Sequence, residues 1–459
     1  MSISHVANRG TTSSKSASKT ISRSPTATLA VGSLVLVWCC WDNNNTGTPD
    51  NGPISEQLSC RDSVGNVWTT VVGGQNRGSP TAQGNGVQGA IHICRLVHAI
   101  TTSDTITVRL GTGNSLVAKA MSIEEFALSG SSYRWCLSSF GAAIDVAADP
   151  QSLSATGPGS GIEALYIHIL TAEAPDTDSY TWDSDYTQIS GIGTTGGADD
   201  SNVHVRGGYR ITTLSSDTIN VTSDTADRDY WQAWASLYEY RPLPFPTTPL
   251  LDDFNRANED PLSKSGAWHT ADVVHGGTVG LAVSSNQCKA GSTSTANRGQ
   301  WWEAPYARNQ EAWVTCVVAA TGVDDGFGVG LLGVFGNAAK GVRCYWIKFP
   351  AEDAASDDAV IIGLGDADSI QRVMHSWYPM TNGVKLGLKL AGLECAMHVD
   401  IGNGWEWVSA FRTDNADGPY LSLLARDQVV RLDDFGGGSP RRSGFIRRPW
   451  RYQGKELAL

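Results

Sequence analysis

The segment Arg241–Arg256, RPLPFPTTPLLDDFNR, limits the fold more than any other stretch of the chain. Proline fixes φ, removes a backbone donor and drives the preceding residue into an extended conformation. Pro242, Pro244, Pro246 and Pro249 therefore exclude a helix or an interior strand here. The segment reads as a semi-rigid linker, residues 241–249, between modules at 26–240 and 250–438, with tails at 1–25 and 439–459.

A chain of 459 residues fits two all-β domains, which commonly run to about 200–250 residues each. Its 50 glycines, its 17% charged residues and its short apolar runs broken by turn residues favour strands over helices. The expected fold is all-β: two β-sandwich or jelly-roll domains joined by the Pro-rich linker, with extended N- and C-terminal arms.

The net charge of −12 is unevenly spread. Residues 1–41 carry Arg9, Lys15, Lys19, Arg23 and no acid, and residues 439–459 carry six basic residues against Glu456. Removing these from totals of 34 basic and 46 acidic residues leaves 24 against 45, a body of −21. Basic, Ser/Thr-rich or aromatic tails on an acidic body suit contact between protein subunits. Solvated, disordered tails explain the same charges, and nucleic acid or membrane contact fits them less well.

Nine cysteines, none in a CxxC pair, read as small buried hydrophobes of a reducing compartment. The basic residues before the apolar run Val31–Trp41 imitate a secretory signal, but no small-residue cleavage site follows. Leu34–Trp41 reads instead as a buried strand, with an export signal as the alternative. Further strands are predicted at 67–72, 89–99, 104–110, 118–127, 161–170, 203–211, 230–240 and 384–390, and a hairpin around Gly402-Asn403-Gly404.

Two segments resemble known families. Asp62-Ser63-Val64-Gly65-Asn66-Val67-Trp68 resembles a D-x-x-G-N-x-W turn found in β-sandwich modules of tailed-bacteriophage virion proteins. Asp252-Asp253-Phe254-Asn255-Arg256-Ala257-Asn258, with Trp268 and the closing Asp433-Asp434-Phe435, resembles the first and last strands of concanavalin A-like (laminin G-like) jelly rolls. The second resemblance implies that the terminal strands of this module pair, so that linker and tail emerge close together.

Catalytic signatures are missing. Glu259, Glu303, Glu311, Glu352, Glu394 and Glu406 form no E-x-D-x-x-E arrangement, and there is no G-x-S-x-G, H-E-x-x-H or P-loop. No cofactor is expected. Calcium is the one candidate ion, through acidic loops at Asp324-Asp325, Asp357-Asp358, Asp366–Asp368 and Asp176–Asp185, although solvated turns explain these equally well. Flat aromatic rings stack on sugars, which makes Trp301, Trp302, Trp377 and Tyr378 candidate glycan-binding residues, with core packing as the competing account. Arg441, Arg442, Arg447, Arg448, Trp450, Arg451 and Tyr452 have the Arg–aromatic composition of a protein-binding hot spot.

These readings converge on a non-enzymatic structural component of a tailed-bacteriophage particle, a tail, fibre or capsid-decoration protein assembled in the host cytoplasm. Its expected partners are other virion proteins and further copies of itself, with host-surface glycan as an additional contact. The alternatives are a secreted carbohydrate-binding or carbohydrate-active protein, and a cell-surface adhesion module.

Overall fold

In a computed structural model of the chain, the residues described are 3–42, 58–75, 87–109, 118–148, 150, 152–197, 201–225, 228–270, 280–291, 298–302, 304–319, 326–333, 342–348, 358–364, 371–377, 381–413, 418–426 and 429–440. The fold is all-β, and no α-helix occurs among these residues.

Leu34–Asp42 is buried at every position, which explains its unbroken apolar run. It pairs with Val87–Arg95 on one side and Lys119–Ala127 on the other. One face, Leu36, Trp38 and Cys40, enters the main core, and the other, Val35, Val37 and Cys39, meets a second core. That second core lies under a small sheet of Thr20–Arg23, Ile106–Arg109 and Ser59–Asp62. Across the main core lies a second large sheet in which Ala164–Ala172 is flanked by His204–Thr212 and Arg228–Tyr240. Gly207 makes room for the Trp38 ring, and Gly89 for that of Trp231, since a Cβ at either would lie 2.5 Å from the indole. The outer face of the second sheet is covered by two short ribbons, one of which brings Tyr180 and Trp182 against Tyr166 and Tyr230 in a third core.

The same two sheets continue through the second module. Among the described residues the first has 12 strands and crosses between modules where Thr69–Gln75 pairs with Gln371–Trp377, at His375 opposite Thr70 and Ser376 opposite Thr69. The second has 13 strands and crosses where Arg134–Ala148 meets Glu406–Arg412 in parallel, at Leu137 and Phe411. One hydrophobic core runs from Leu34 to Phe435 between the two sheets. The sandwiches are fused edge to edge.

The predicted strands are present at Leu34–Asp42, Thr69–Gln75, Val87–Arg95, Ile106–Arg109, Lys119–Ala127, Ala164–Ala172, His204–Thr212, Arg228–Tyr240 and Lys385–Ala391. Arg134–Ala148 and Ser4–Ser14 carry no alternation that announces them. The latter belongs to the Ser/Thr-rich N-terminal arm, which is extended and docks on its own chain as the edge strand against Lys119–Ala127. Its polar residues match buried carboxylates: His5 Nε2 lies 3.1 Å from Glu124, Asn8 donates to Glu124, and Arg9 Nε donates to Glu125 at 2.6 Å. Lys15 donates to the Gly196 carbonyl at 2.6 Å. The basic residues Arg9 and Lys15 are thus engaged within the chain.

Candidate functional site

Both motifs that carried a resemblance are built on an aspartate. Asp62 Oδ1 accepts the amides of Val64, Gly65 and Asn66 at 2.8–3.1 Å, and Oδ2 accepts the Trp68 indole at 2.9 Å. Gly65 takes φ +86°, where a side chain would be strained. Asp252, fully buried, does the same for the second module: it accepts the Phe254 amide at 2.9 Å, the Trp268 indole at 2.7 Å and both terminal nitrogens of Arg256. Phe254 and Phe435 pack on Trp268. Leu250–Asp252 pairs with Arg431–Gly438, so the first and last strands of this module lie together, as the repeated DDF predicts.

The Pro-rich segment is a strap across the outer face of the second module. Phe245 stacks on His398 at 4.3 Å and stands edge-on to Trp405 at 4.8 Å. It fills the space left by Gly387, whose Cβ would lie 2.2 Å from its ring. Lys389 donates to the Pro244 carbonyl at 2.5 Å and to Glu311 at 2.9 Å, and Glu311 accepts the amides of Thr247 and Thr248. Glu311 and Lys389 are both buried, so the strap supplies the hydrogen bonds that this ion pair needs once water is excluded. Where the strap begins, Tyr240 accepts the Trp407 indole, and Trp407 packs edge-on against Trp135 of the first module at 5.7 Å.

The expected glycan platforms are not open surfaces. Trp301 is buried and stacks on His269 at 5.8 Å, while Trp302, half-buried, packs edge-on to Trp268 at 5.2 Å with the Lys264 ammonium 5.4 Å from its ring. Neighbours in a strand face opposite ways, but both faces of this one are covered. Tyr378 and the side chain of Trp377 lie outside the described residues, as do Arg441, Arg442, Arg447, Arg448, Trp450, Arg451 and Tyr452.

A shallow depression of about 350 Å³ does open at the end of the second module, between Tyr306, Arg308, Leu332, Gly418 and Pro419. No sequence signal marks it, because its lining comes from two connections, at 306–308 and 418–419, and from Leu332 in the strand Gly326–Gly333. Gln310 builds it from beneath: its carboxamide accepts the Leu332 amide at 2.8 Å and donates to the Gly418 carbonyl at 2.8 Å. Leu332 is thereby held at φ +59°. The Tyr306 amide donates to the Pro419 carbonyl at 2.7 Å, and the Ala307 amide to Ser439 Oγ at 3.0 Å, where the C-terminal tail departs. An aromatic face beside a guanidinium offers a stacking surface with a hydrogen-bond donor.

Four of the described histidines, His92 among them, and the described cysteines are sealed in the core. His168, His204 and His398 are buried, and desolvation lowers each to about 3, with the Lys389 charge adding to the effect on His398. The described cysteines are buried free thiols whose pKa burial raises. Of the acidic loops, Asp324-Asp325 and Asp366–Asp368 lie outside the described residues, as do Asp357 and the Asp358 side chain. In the first module Asp176, Asp178 and Asp185 pair with Arg206, Arg228 and Arg210 at 2.9–3.0 Å. No cluster of three or more metal-ligating side chains occurs among the described residues.

Fold and sites together define an all-β protein of two fused sandwiches. No family model matches the chain, and no curated protein matches it. Among solved structures it is similar to the exoplasmic/lumenal domain of VIP36 in its Ca²⁺/Man-bound form, with 11% identity over 38% of this chain and 83% of that one and a TM-score of 0.30. It is also similar to the carbohydrate-binding module CBM66 from Bacillus subtilis, with 10% identity over 39% and 99% of the two chains and a TM-score of 0.29. A legume lectin-like domain from Entamoeba histolytica gives 12% identity over 34% and 85%, with a TM-score of 0.26. Each overlaps part of the chain, and the architecture stands on the strand order and register given above.

Proposed function

We propose that the protein is a non-catalytic structural component of an assembled particle of the tailed-bacteriophage kind. The observation that carries this reading is the continuity of both sheets through the two modules, at Thr69–Thr70 with His375–Ser376 and at Leu137 with Phe411. Two sheets with one core make a stiff body, suited to bearing load and presenting fixed surfaces. The burial of His92, His168, His204 and His398 and of the described cysteines supports a non-enzymatic role. The Asp62–Trp68 turn supports the phage setting by resemblance. Electron microscopy of purified phage particles carrying a tag on this chain tests it. Density for the fused body with residues 439–459 against a neighbouring subunit is the expected result, and particles complete without the chain overturn the reading.

The depression at Tyr306 and Arg308 favours a second reading, a carbohydrate-binding protein. An aromatic ring beside a hydrogen-bonding cation is suited to one face and one hydroxyl edge of a sugar. A glycan array probed with the wild-type chain and with Tyr306→Ala tests it: binding lost in the variant supports this reading, and an array without signal removes it.

A further inference from the structure

One end of the first sandwich presents apolar side chains and unneutralised cations together. Residues 29–33 and 96–100 run side by side there, joined by Leu29 and Ile100 and by Gly32 and Ser33 with Leu96. Val31 is 62% exposed and Val97 48% exposed on these two facing turns. The Arg95 guanidinium passes 3.8 Å from the Cβ position of Gly32, beside Val31. Arg95 and Arg134 both donate to the Ser131 carbonyl, at 2.7 and 2.9 Å, so two guanidinium groups converge on one oxygen. Among the described residues no carboxylate pairs with either, and Arg95 Nε is buried without an acceptor. Burial first, and then the Arg134 charge, lower the Arg95 pKa to about 10. The rim continues on the facing sheet, where Ile162 and Leu214 are 42% and 45% exposed and the adjoining Glu163 accepts the Ile3 amide.

An exposed apolar patch rimmed by charge marks a contact surface, and the charge selects the partner. Residues 42–438 hold 24 basic against 45 acidic residues, so the chain itself carries the complementary surface in excess. We propose that the Val31–Val97–Arg95–Arg134 rim docks head-to-tail on the acidic body of a second copy of this chain. Valines supply desolvated contact, and carboxylates of the second copy neutralise the guanidinium pair. Such a contact is heterologous, so it propagates into a ring or a row rather than closing a two-fold dimer.

This inference rests on the assembly reading, and sedimentation velocity of the full chain separates the two. At about 100 µM protein and low salt, wild type is expected to associate, and raising salt from about 50 to about 500 mM is expected to weaken association at least tenfold. Arg95→Glu with Arg134→Glu, and separately the exposed-turn variant Val31→Asp, are each expected to weaken it by about tenfold or more while the circular dichroism spectrum is unchanged. Val31→Asp keeps the test informative if the arginine pair is needed for folding. Association that survives both sets of substitutions overturns the rim and leaves the assembly reading standing. A monomer under all these conditions overturns self-assembly through this rim and removes the support it lends to that reading.

Discussion

At the scale of single residues, buried ionisable groups set the response to pH. His168, His204 and His398 stay neutral in the fold down to about pH 3, against an ordinary value of 6.5. Between those limits the unfolded chain binds protons that the folded chain does not, so stability rises with pH across that window and is lost on acidification. Each histidine contributes a slope of up to about 1.4 kcal/mol per pH unit. Urea unfolding at a series of pH values should show this steep loss, and His398→Phe should flatten the slope by up to about one proton. The Glu311–Lys389 pair gives a second prediction. Glu311→Ala strands a buried ammonium and should cost about 3–5 kcal/mol in urea unfolding. Replacing both partners with Met should recover part of that but still cost about 1–3 kcal/mol, because the Thr247 and Thr248 amides lose their acceptor. In the sequence Glu311 stands out only as one of six glutamates that form no E-x-D-x-x-E arrangement, since nothing local pairs it with Lys389, 78 residues away.

At the scale of elements, the N-terminal strand shows why composition misleads. Ser4–Ser14 has too few apolar residues to make a core, and on that ground it reads as an arm. Its stability comes from the opposite direction: Glu124 and Glu125 are buried in Lys119–Ala127 and need the donors that this strand brings. Arg9→Ala should therefore cost about 1–3 kcal/mol and speed amide exchange across 119–127, whereas Lys15→Ala, at a more exposed position, should cost under about 1 kcal/mol. Equal effects of the two substitutions would count against the buried-carboxylate account. The Pro-rich strap is legible as non-helical and strand-incompatible from its residues. Its docking is not, because Phe245 finds its place only where Gly387, His398 and Trp405 come together from two strands and a turn.

At the scale of the whole molecule, the shared sheets predict one cooperative unit. Calorimetry of the full chain should show a single transition, since neither module can unfold without exposing an edge strand and part of the common core of the other. Two separated transitions would contradict that coupling. Residues 250–438 expressed by themselves should self-associate, because Gln371–Trp377 and Glu406–Arg412 each keep one partner strand and expose the edge that faced the first module. The outer edges of the intact sheets are guarded: Ser4–Ser14 is bulged twice, Thr187–Gly193 once, and Trp268–Thr270 and Leu281–Ser284 are only 3 and 4 residues long. Contacts with other chains are thereby directed to loops and tails rather than to sheet extension. The all-β class, the position of the strap, the buried strand Leu34–Asp42 and the aspartate-centred turns at Asp62 and Asp252 were determined by sequence itself, because proline geometry, strand periodicity and Asp–backbone hydrogen bonding act within a few residues. The fusion of the two sandwiches, the burial of Trp301 and half-burial of Trp302, the depression at Tyr306 and the rim at Arg95 were decided only by tertiary structure. Each depends on groups far apart in the chain, and whether a side chain is covered is a property of what packs against it.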